Sequence, residues 1–385
     1  MKKRAISSEM MGAMKAGILH PLLTAVQKDD TLCLELRGTF INIYYRGGSL
    51  FRITEKGSDY EISFDTGYCI GDSVLPENPS IQDAPALIPQ YKSKMDEWFH
   101  LHPKYEREFQ QLMARVNNSS GDISRSTDYY IADMEYADMA ELGARFDMVA
   151  FKWLSKGYVR KDTSKPSLAL IELKFGDGAL DGEAGIEKHL QDFNAFVKDT
   201  AKLREFTLDM AEVFRQKCEL GLVGGLQEKQ FQLNVDCSAP EIILAFAEHD
   251  PDSGVLKRIL RGIKEDEYAY PIRLASASLL GCGLYEDHML TIEEYLRKVE
   301  SDNRIGENPS VHLGLNRTHI CRKPADMRSI SGCLPHTMPQ SPQSVPAGAA
   351  CCREVGWSLC WFYSPSTGRR TLPQPPGRGT GRCAS

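Results

Sequence analysis

The chain lacks any long uninterrupted apolar run, and this absence limits the class of protein to which it can belong. No stretch of its 385 residues is apolar for long enough to span a bilayer, which excludes a helical membrane protein. The first residues, MKKR, look like the start of a signal peptide, but Glu9 and Lys15 interrupt the apolar segment that would have to follow. We therefore expect a soluble cytoplasmic protein with no membrane partner.

Cysteine is also scarce and widely spaced in the first 300 residues, where no zinc-ligand pattern or disulfide framework is formed. The sequence changes character near residue 302. Residues 301–385 hold ten of the 20 prolines, six of the 11 cysteines, and ten Lys and Arg against four Asp and Glu. The tail is therefore basic and the rest of the chain acidic. This composition predicts disorder for residues 303–385, and its abrupt onset motivates the hypothesis of a shifted reading frame or a gene fusion.

Turn signals and alternating apolar residues predict a helix and a small antiparallel β-meander within residues 1–75. Residues 76–90 are rich in proline and are predicted to be a linker, and residues 91–302 are predicted to form a second domain. The predicted strands of the meander are 31–36, 40–45, 50–53 and 60–64.

One apolar run, LALIELKF, carries a carboxylate and an ammonium group two residues apart. Because strand side chains alternate, Glu172 and Lys174 share one face near the end of this predicted strand. An earlier apolar segment, RFDMVAF, carries a lone carboxylate, Asp147, which is predicted to share a face with Val149 and Phe151. Two strand-borne acids and a lysine make a candidate metal site.

The chemistry that needs these groups is phosphodiester hydrolysis. Mg²⁺ prefers oxygen ligands, which Asp147 and Glu172 supply together with the backbone carbonyl of Leu173; Mn²⁺ is the alternative cation. Lys174 would hold the attacking water or offset the charge that builds on phosphorus. The competing interpretation is that Glu172 and Lys174 form an ion pair at an exposed sheet edge, with Asp147 as a turn residue.

The set Asp147, Glu172 and Lys174 resembles the PD-(D/E)XK nuclease superfamily, in which an acid ends one strand and an acid-x-Lys lies on the next. The resemblance implies an α/β restriction-endonuclease-like fold, with a mixed sheet flanked by helices and an α-β-β-β-α-β core. It also implies a Mg²⁺-dependent nuclease. One departure is that Phe146, not proline, precedes Asp147. The core elements would be a helix over 91–117, strands over 128–137, 144–154 and 167–175, a helix over 185–200 and a closing strand over 241–247.

Other acids near this set are weaker candidates. Glu135 is predicted to lie on the neighbouring strand, sharing a face with Asp133, and to act as a further metal or water ligand; a solvated strand face is the alternative. Glu106 and Glu108 lie on the preceding predicted helix and would supply the helix-borne acid that some superfamily members use. Surface acids on an amphipathic helix are the more common case.

The helix after the motif strand offers two weak substrate-binding candidates, Lys188 and Gln191, on its outer faces. His189 lies between the faces and is interpreted as a packed histidine. Beyond this helix the pattern predicts a helix from 201 to 218, strands near 231–235 and 241–247, a basic helix over 256–264 and a closing helix over 291–301.

Net charge does not identify the substrate, because an acidic body repels polyanions and binding must rely on a local basic groove, a metal or partner proteins. DNA is the favoured substrate. Whether the DNA is single-stranded, double-stranded or structured stays open, as do RNA as the substrate and a homodimer as the assembly. The alternative function is a catalytically inactive nuclease-like module that binds nucleic acid or protein. Metal binding that depends on Asp147 and Glu172 discriminates the two.

Overall fold

The computed structural model describes residues 3–71, 75–118, 127–138, 144–155, 165–182, 185–226, 228–249, 254–277, 284 and 289–306. The described chain is mixed α/β and contains two sheets. No helix within these ranges is long and apolar enough to cross a membrane. Residues 307–385, which make up nearly all of the tail predicted to be disordered, lie outside the described residues.

The N-terminal sheet is an antiparallel meander with strand order β1-β2-β3-β4, as the sequence predicts. Arg46 and Gly47 form the two-residue turn between β2 and β3, with φ of 50° and 74°, the left-handed conformation that tight hairpins require. Helix α2 was not predicted. The elements are α1 (Ser8–Ala16), α2 (His20–Lys28), β1 (Leu32–Leu36), β2 (Phe40–Tyr45), β3 (Gly48–Lys56) and β4 (Asp59–Ser63).

Two helices follow where the sequence predicts one helix over 91–117. They are α3 (Ala84–Leu101) and α4 (Tyr105–Asn118). The break falls at Pro103, because a proline lacks an N–H and disfavours helical geometry at the residue before it. Helix α3 begins inside the range predicted to be a linker.

The second sheet has five strands in the order β5-β6-β7-β8-β9. Strands β5, β6 and β7 are antiparallel to one another, whereas β7, β8 and β9 are parallel. Strand β9 was not predicted, and the predicted strand over 231–235 is not formed. The elements are β5 (Tyr129–Asp138), β6 (Ala144–Lys152), β7 (Ser167–Phe175), α5 (Ile186–Lys198), α6 (Thr200–Glu219), β8 (Asp236–Ala247), α7 (Gly254–Gly262), β9 (Ile272–Ala277) and α8 (Ile292–Gly306).

The two faces of β7 are buried in different hydrophobic clusters. Leu168 and Leu170 pack in a cluster that includes Phe193 of α5 and extends through the N-terminal meander. Ile171 packs on the opposite face in a cluster that includes Phe109 of α4. The alternation predicted for this strand is therefore confirmed, and helices cover the sheet on both faces.

A buried ion cluster joins the N-terminal part of the chain to the five-stranded sheet; it consists of Arg4, Glu35, Arg37, Asp133 and Lys217. Lys217 on α6 donates to Glu35 on β1 over 2.8 Å. Asp133 on β5 pairs with Arg37 on β1 and with Arg4, whose Nε lies 3.3 Å from the carboxylate. Because a buried charge is costly unless it is paired, this cluster holds the two sheets in a defined arrangement.

Candidate functional site

The candidate site lies at the C-terminal end of β7, the central strand of the five-stranded sheet. The ladder between β6 and β7 ends at the pair Met148 and Ile171. Beyond that pair the side chain of Asp147 takes the place of a backbone partner, because its Oδ2 accepts a hydrogen bond of 2.9 Å from the Leu173 N–H. The predicted acid on β6 is thus tied to the residue between Glu172 and Lys174.

Asp147 is nearly enclosed, with 4% of its surface exposed. Only its Oδ2 accepts a hydrogen bond from the described residues. Burial raises its pKa to about 6, the Leu173 N–H opposes that effect, and the negative charge of Glu106 raises the pKa further. This carboxylate therefore has an oxygen available for a cation.

Strand β6 is irregular near Asp147. Phe146, Val149 and Phe151 all pack in the same hydrophobic cluster, so the alternation of β6 is interrupted after Phe146. Asp147 borders a cavity next to α4. The interruption lies across from Glu135 of β5, whose φ of 50° is far from extended backbone and breaks the regular pleat.

Glu172 contacts two basic side chains. The Lys174 Nζ donates to its Oε1 over 2.7 Å, and the His189 Nε2 lies 3.1 Å from the same oxygen. Glu172 and Lys174 are both buried. Burial raises the pKa of Glu172 to about 8, the charge of Asp147 raises it further, and Lys174 opposes the shift.

Burial is the largest cause of the raised pKa values of Asp147 and Glu172, because it disfavours their ionised forms. A bound divalent cation would favour those ionised forms. Carboxylate oxygens are also the ligands that Mg²⁺ takes. In both charge and donor chemistry, Asp147 and Glu172 fit such a cation.

Glu135 and Asp147 both lie between the paired residues Met134 and Met148 and the paired residues Tyr136 and Phe146. Its Oε1 is 3.2 Å from the Arg107 Nε of α4. Both acids border a cavity of about 200 Å³, here called the acidic cavity, with Glu106 as a third acid and Arg145 as a second cation. The lining residues are Glu106, Arg107, Gln110, Glu135, Ala137, Arg145 and Asp147.

Asp133 does not share this cavity, although the sequence predicts that it shares a face with Glu135. It is fully buried in the ion cluster. The two acids are separated because β5 is irregular between Ile131 and Asp133 and again at Glu135, so its side chains do not alternate simply.

Two arginines of the N-terminal region hold this irregular part of β5. Arg37 donates through Nη2 to the Met134 carbonyl over 2.7 Å, and Arg4 donates through Nη2 to the Glu135 carbonyl over 3.2 Å. Both arginines also pair with Asp133. The conformation that directs Glu135 to the acidic cavity is thus fixed from outside its own sheet.

The helix after the motif strand contributes a residue other than the two predicted. Lys188 pairs with Asp192 on the exposed surface of α5, and Gln191 is exposed. His189 contacts Glu172 instead. A signal for it was present, because His189 lies three residues after Ile186 and so borders the apolar face of the helix.

The two acids predicted on the helix before the motif strands are separated in the structure. Glu106 borders the acidic cavity, and its charge raises the pKa values of both Asp147 and Glu172. Glu108 turns toward the meander, where Arg46 donates to it over 2.8 Å. Of the two, only Glu106 is positioned to act as the helix-borne acid.

The competing interpretation, an exposed ion pair between Glu172 and Lys174, agrees with the structure in part. Glu172 and Lys174 do form an ion pair, but it is buried on a central strand rather than exposed at a sheet edge. Among the described residues, no group of three His, Cys, Asp or Glu side chains is close enough together to hold a metal ion. Any cation would therefore rely on two carboxylates, backbone oxygen and water.

Comparisons with protein-family models, with curated proteins and with solved structures find no match to this chain.

Proposed function

We propose that the protein is a Mg²⁺-dependent nuclease that hydrolyses phosphodiester bonds, with DNA as its favoured substrate. The observation that carries the proposal is the pair of buried acids, Asp147 and Glu172, beside Lys174 at the end of a central strand. The element order α4-β5-β6-β7-α5-β8 supports a restriction-endonuclease-like core of the PD-(D/E)XK type. A cytoplasmic location is part of this proposal.

Asp147, Glu172 and the Leu173 carbonyl would hold the cation, with Mn²⁺ as a substitute for Mg²⁺. When bound, the cation would polarise the scissile phosphate and lower the pKa of a coordinated water. The Leu173 N–H fixes the orientation of Asp147 at 2.9 Å. Lys174 and His189 both contact the Glu172 Oε1, so each acid has a structural group that keeps it in place.

The remaining side chains have roles that follow from their positions. Lys174 is a point charge that would hold the attacking water or offset charge on phosphorus. His189 positions Glu172 from α5. Arg145 borders the acidic cavity beside Asp147 and would contact phosphate oxygens, while Glu135 would orient water from across the cavity.

The test is nicking of supercoiled DNA and cleavage of linear DNA by the purified protein, with Mg²⁺, Mn²⁺ or EDTA, and with an RNA control. We expect metal-dependent cleavage that Asp147→Asn and Lys174→Met reduce at least a hundredfold, in the range typical of lost catalytic groups. Lys56→Met and Asp59→Asn change exposed residues of the same types and are the matched controls. Cleavage that persists in EDTA, or in both site variants, would contradict the proposal.

A second candidate function is a catalytically inactive nuclease-like module that binds nucleic acid or protein. The direct pairing of Glu172 with Lys174, together with the lack of three clustered ligands among the described residues, favours this reading. Calorimetric titration with Mg²⁺ separates the two candidates. Mg²⁺ binding that Asp147→Asn abolishes supports the nuclease, whereas no binding together with no cleavage supports the inactive module.

A further inference from the structure

An exposed aromatic ring lies close to the candidate site and has no role in the proposed hydrolysis. Tyr105, the first residue of α4, is 50% exposed and is the only exposed Phe, Tyr or Trp among the described residues. Its ring stacks on Phe175, with centroids 5.0 Å apart and planes 23° apart. Phe175 is the last residue of β7 and follows Lys174 directly, so the ring pair is anchored to the motif strand.

The ring pair borders a cavity of about 330 Å³, here called the aromatic cavity. Its lining includes the cations Lys104 and Arg107, and both side chains are exposed. Glu106 and Arg107 line the acidic cavity as well, so the two cavities are neighbours that share side chains. A ligand on Tyr105 would therefore lie beside a phosphate bound near Asp147.

We propose that Tyr105 and Phe175 form a stacking platform for an unpaired nucleobase, and that the substrate is single-stranded or locally unpaired nucleic acid. This inference rests on the proposed nuclease function. An aromatic face binds any base by stacking, while nearby cations neutralise the backbone. A base inside an intact duplex already stacks on both neighbours, so only an unpaired or extruded base can use the platform.

The charge of the chain makes such a platform useful. Residues 1–300 have more Asp and Glu than Lys and Arg, and this surplus weakens binding that depends on phosphate contacts alone. Stacking does not depend on net charge. Binding to a single strand should therefore keep part of its affinity at salt concentrations that abolish duplex binding.

The test is fluorescence anisotropy with the full chain in Ca²⁺, using a labelled single-stranded DNA oligonucleotide and the blunt duplex of the same sequence. Stacking on one ring is worth roughly tenfold in affinity, so we expect Tyr105→Leu to weaken single-strand binding by about that factor and to leave duplex binding unchanged. Tyr105→Trp should retain the affinity, and its fluorescence should be quenched when the oligonucleotide binds. Leu208→Ala, which changes an exposed apolar residue of α6, is the control.

The outcomes separate this inference from the nuclease proposal. Wild-type single-strand affinity in Tyr105→Leu, with a normal thermal melt, would overturn the platform even if Mg²⁺-dependent cleavage is observed. Tighter binding to duplex than to single strand would overturn it as well. Loss of affinity in Tyr105→Leu without any cleavage by the wild type would instead retain the platform and refute the nuclease.

Discussion

The carboxyl group of Glu172 is buried beside a second acid, so folding disfavours its ionised form. Its pKa in the folded chain is about 8, above the ordinary value of 4.5. Between these two values the folded state binds a proton that the unfolded state has released. The stability linked to this group is therefore complete below about pH 4.5 and is lost as the pH rises through about 8.

We predict that Glu172→Gln removes most of this pH dependence. In EDTA the wild type should lose on the order of a few kcal/mol of unfolding free energy between about pH 5 and about pH 8, while the variant loses less. Urea unfolding at a series of pH values measures this directly. Glu61→Gln, at an exposed position of the meander, is the control. Equal pH dependence in the wild type and Glu172→Gln would show that Glu172 ionises normally.

For individual residues, the sequence predicts which side chains form the motif better than it predicts how those side chains are arranged. Glu172 and Lys174 could be predicted because two-residue alternation is local and β7 obeys it. The cavity that Asp147 borders could not, because its lining comes from α4, β5 and β6 together. His189 was missed because a histidine at the border of a helix face has no pattern that distinguishes packing from contact with a buried acid.

Strand β5 is the element on which the N-terminal region acts most directly. Arg37 reaches it from β1, where it pairs with Asp133 and donates to the Met134 carbonyl. The arginine and the aspartate are both buried, so removing one partner leaves an uncompensated charge. The irregular conformation next to Glu135 depends on the same contacts.

We predict that Arg37→Met lowers the unfolding free energy by about 3–5 kcal/mol, because it leaves Asp133 with Arg4 as its remaining partner. Chemical denaturation measures the loss. Arg52→Met, at an exposed position on β3, removes a cation–π contact with Phe40 and should lower the unfolding free energy by at most about 1 kcal/mol. A loss in Arg37→Met no larger than in this control would mean that the ion cluster contributes nothing net to stability.

The predicted helices and strands are observed where the sequence signals are local. The prediction fails where pairing with another strand determines whether a segment forms a strand. The four meander strands follow from alternation between glycine-containing turns, and their observed bounds agree with the prediction to within three residues. Strand β9 is a short run, Ile272–Ala277, that is ambiguous until β8 provides a partner. The segment 231–235 alternates equally well but pairs with no strand of the described chain.

Across the whole molecule, one hydrophobic cluster runs from the meander through α1, α2 and α3 to one face of the five-stranded sheet. The ion cluster crosses the same boundary. Elements that share one core lose it together when any of them unfolds. The described part of the chain should therefore behave as one cooperative unit.

We predict a single calorimetric unfolding transition for the full chain. Fluorescence and far-ultraviolet circular dichroism should report the same midpoint, because the meander and the five-stranded sheet unfold together. Arg37→Met should lower this midpoint without splitting the transition. Two separated transitions would contradict the prediction and would support a division between residues 1–75 and 91–302.

The backbone at Glu135 has a further consequence. A φ of 50° is unfavourable for glutamate and carries no steric cost for glycine, so backbone strain alone favours glycine at this position. The pairing of the carboxylate with Arg107 and its use in the acidic cavity both oppose that exchange. A lineage that no longer needed this acid would be free to drift to glycine here, gaining a relaxed strand in return. The residue found at position 135 in each descendant would then record whether the cavity is still in use.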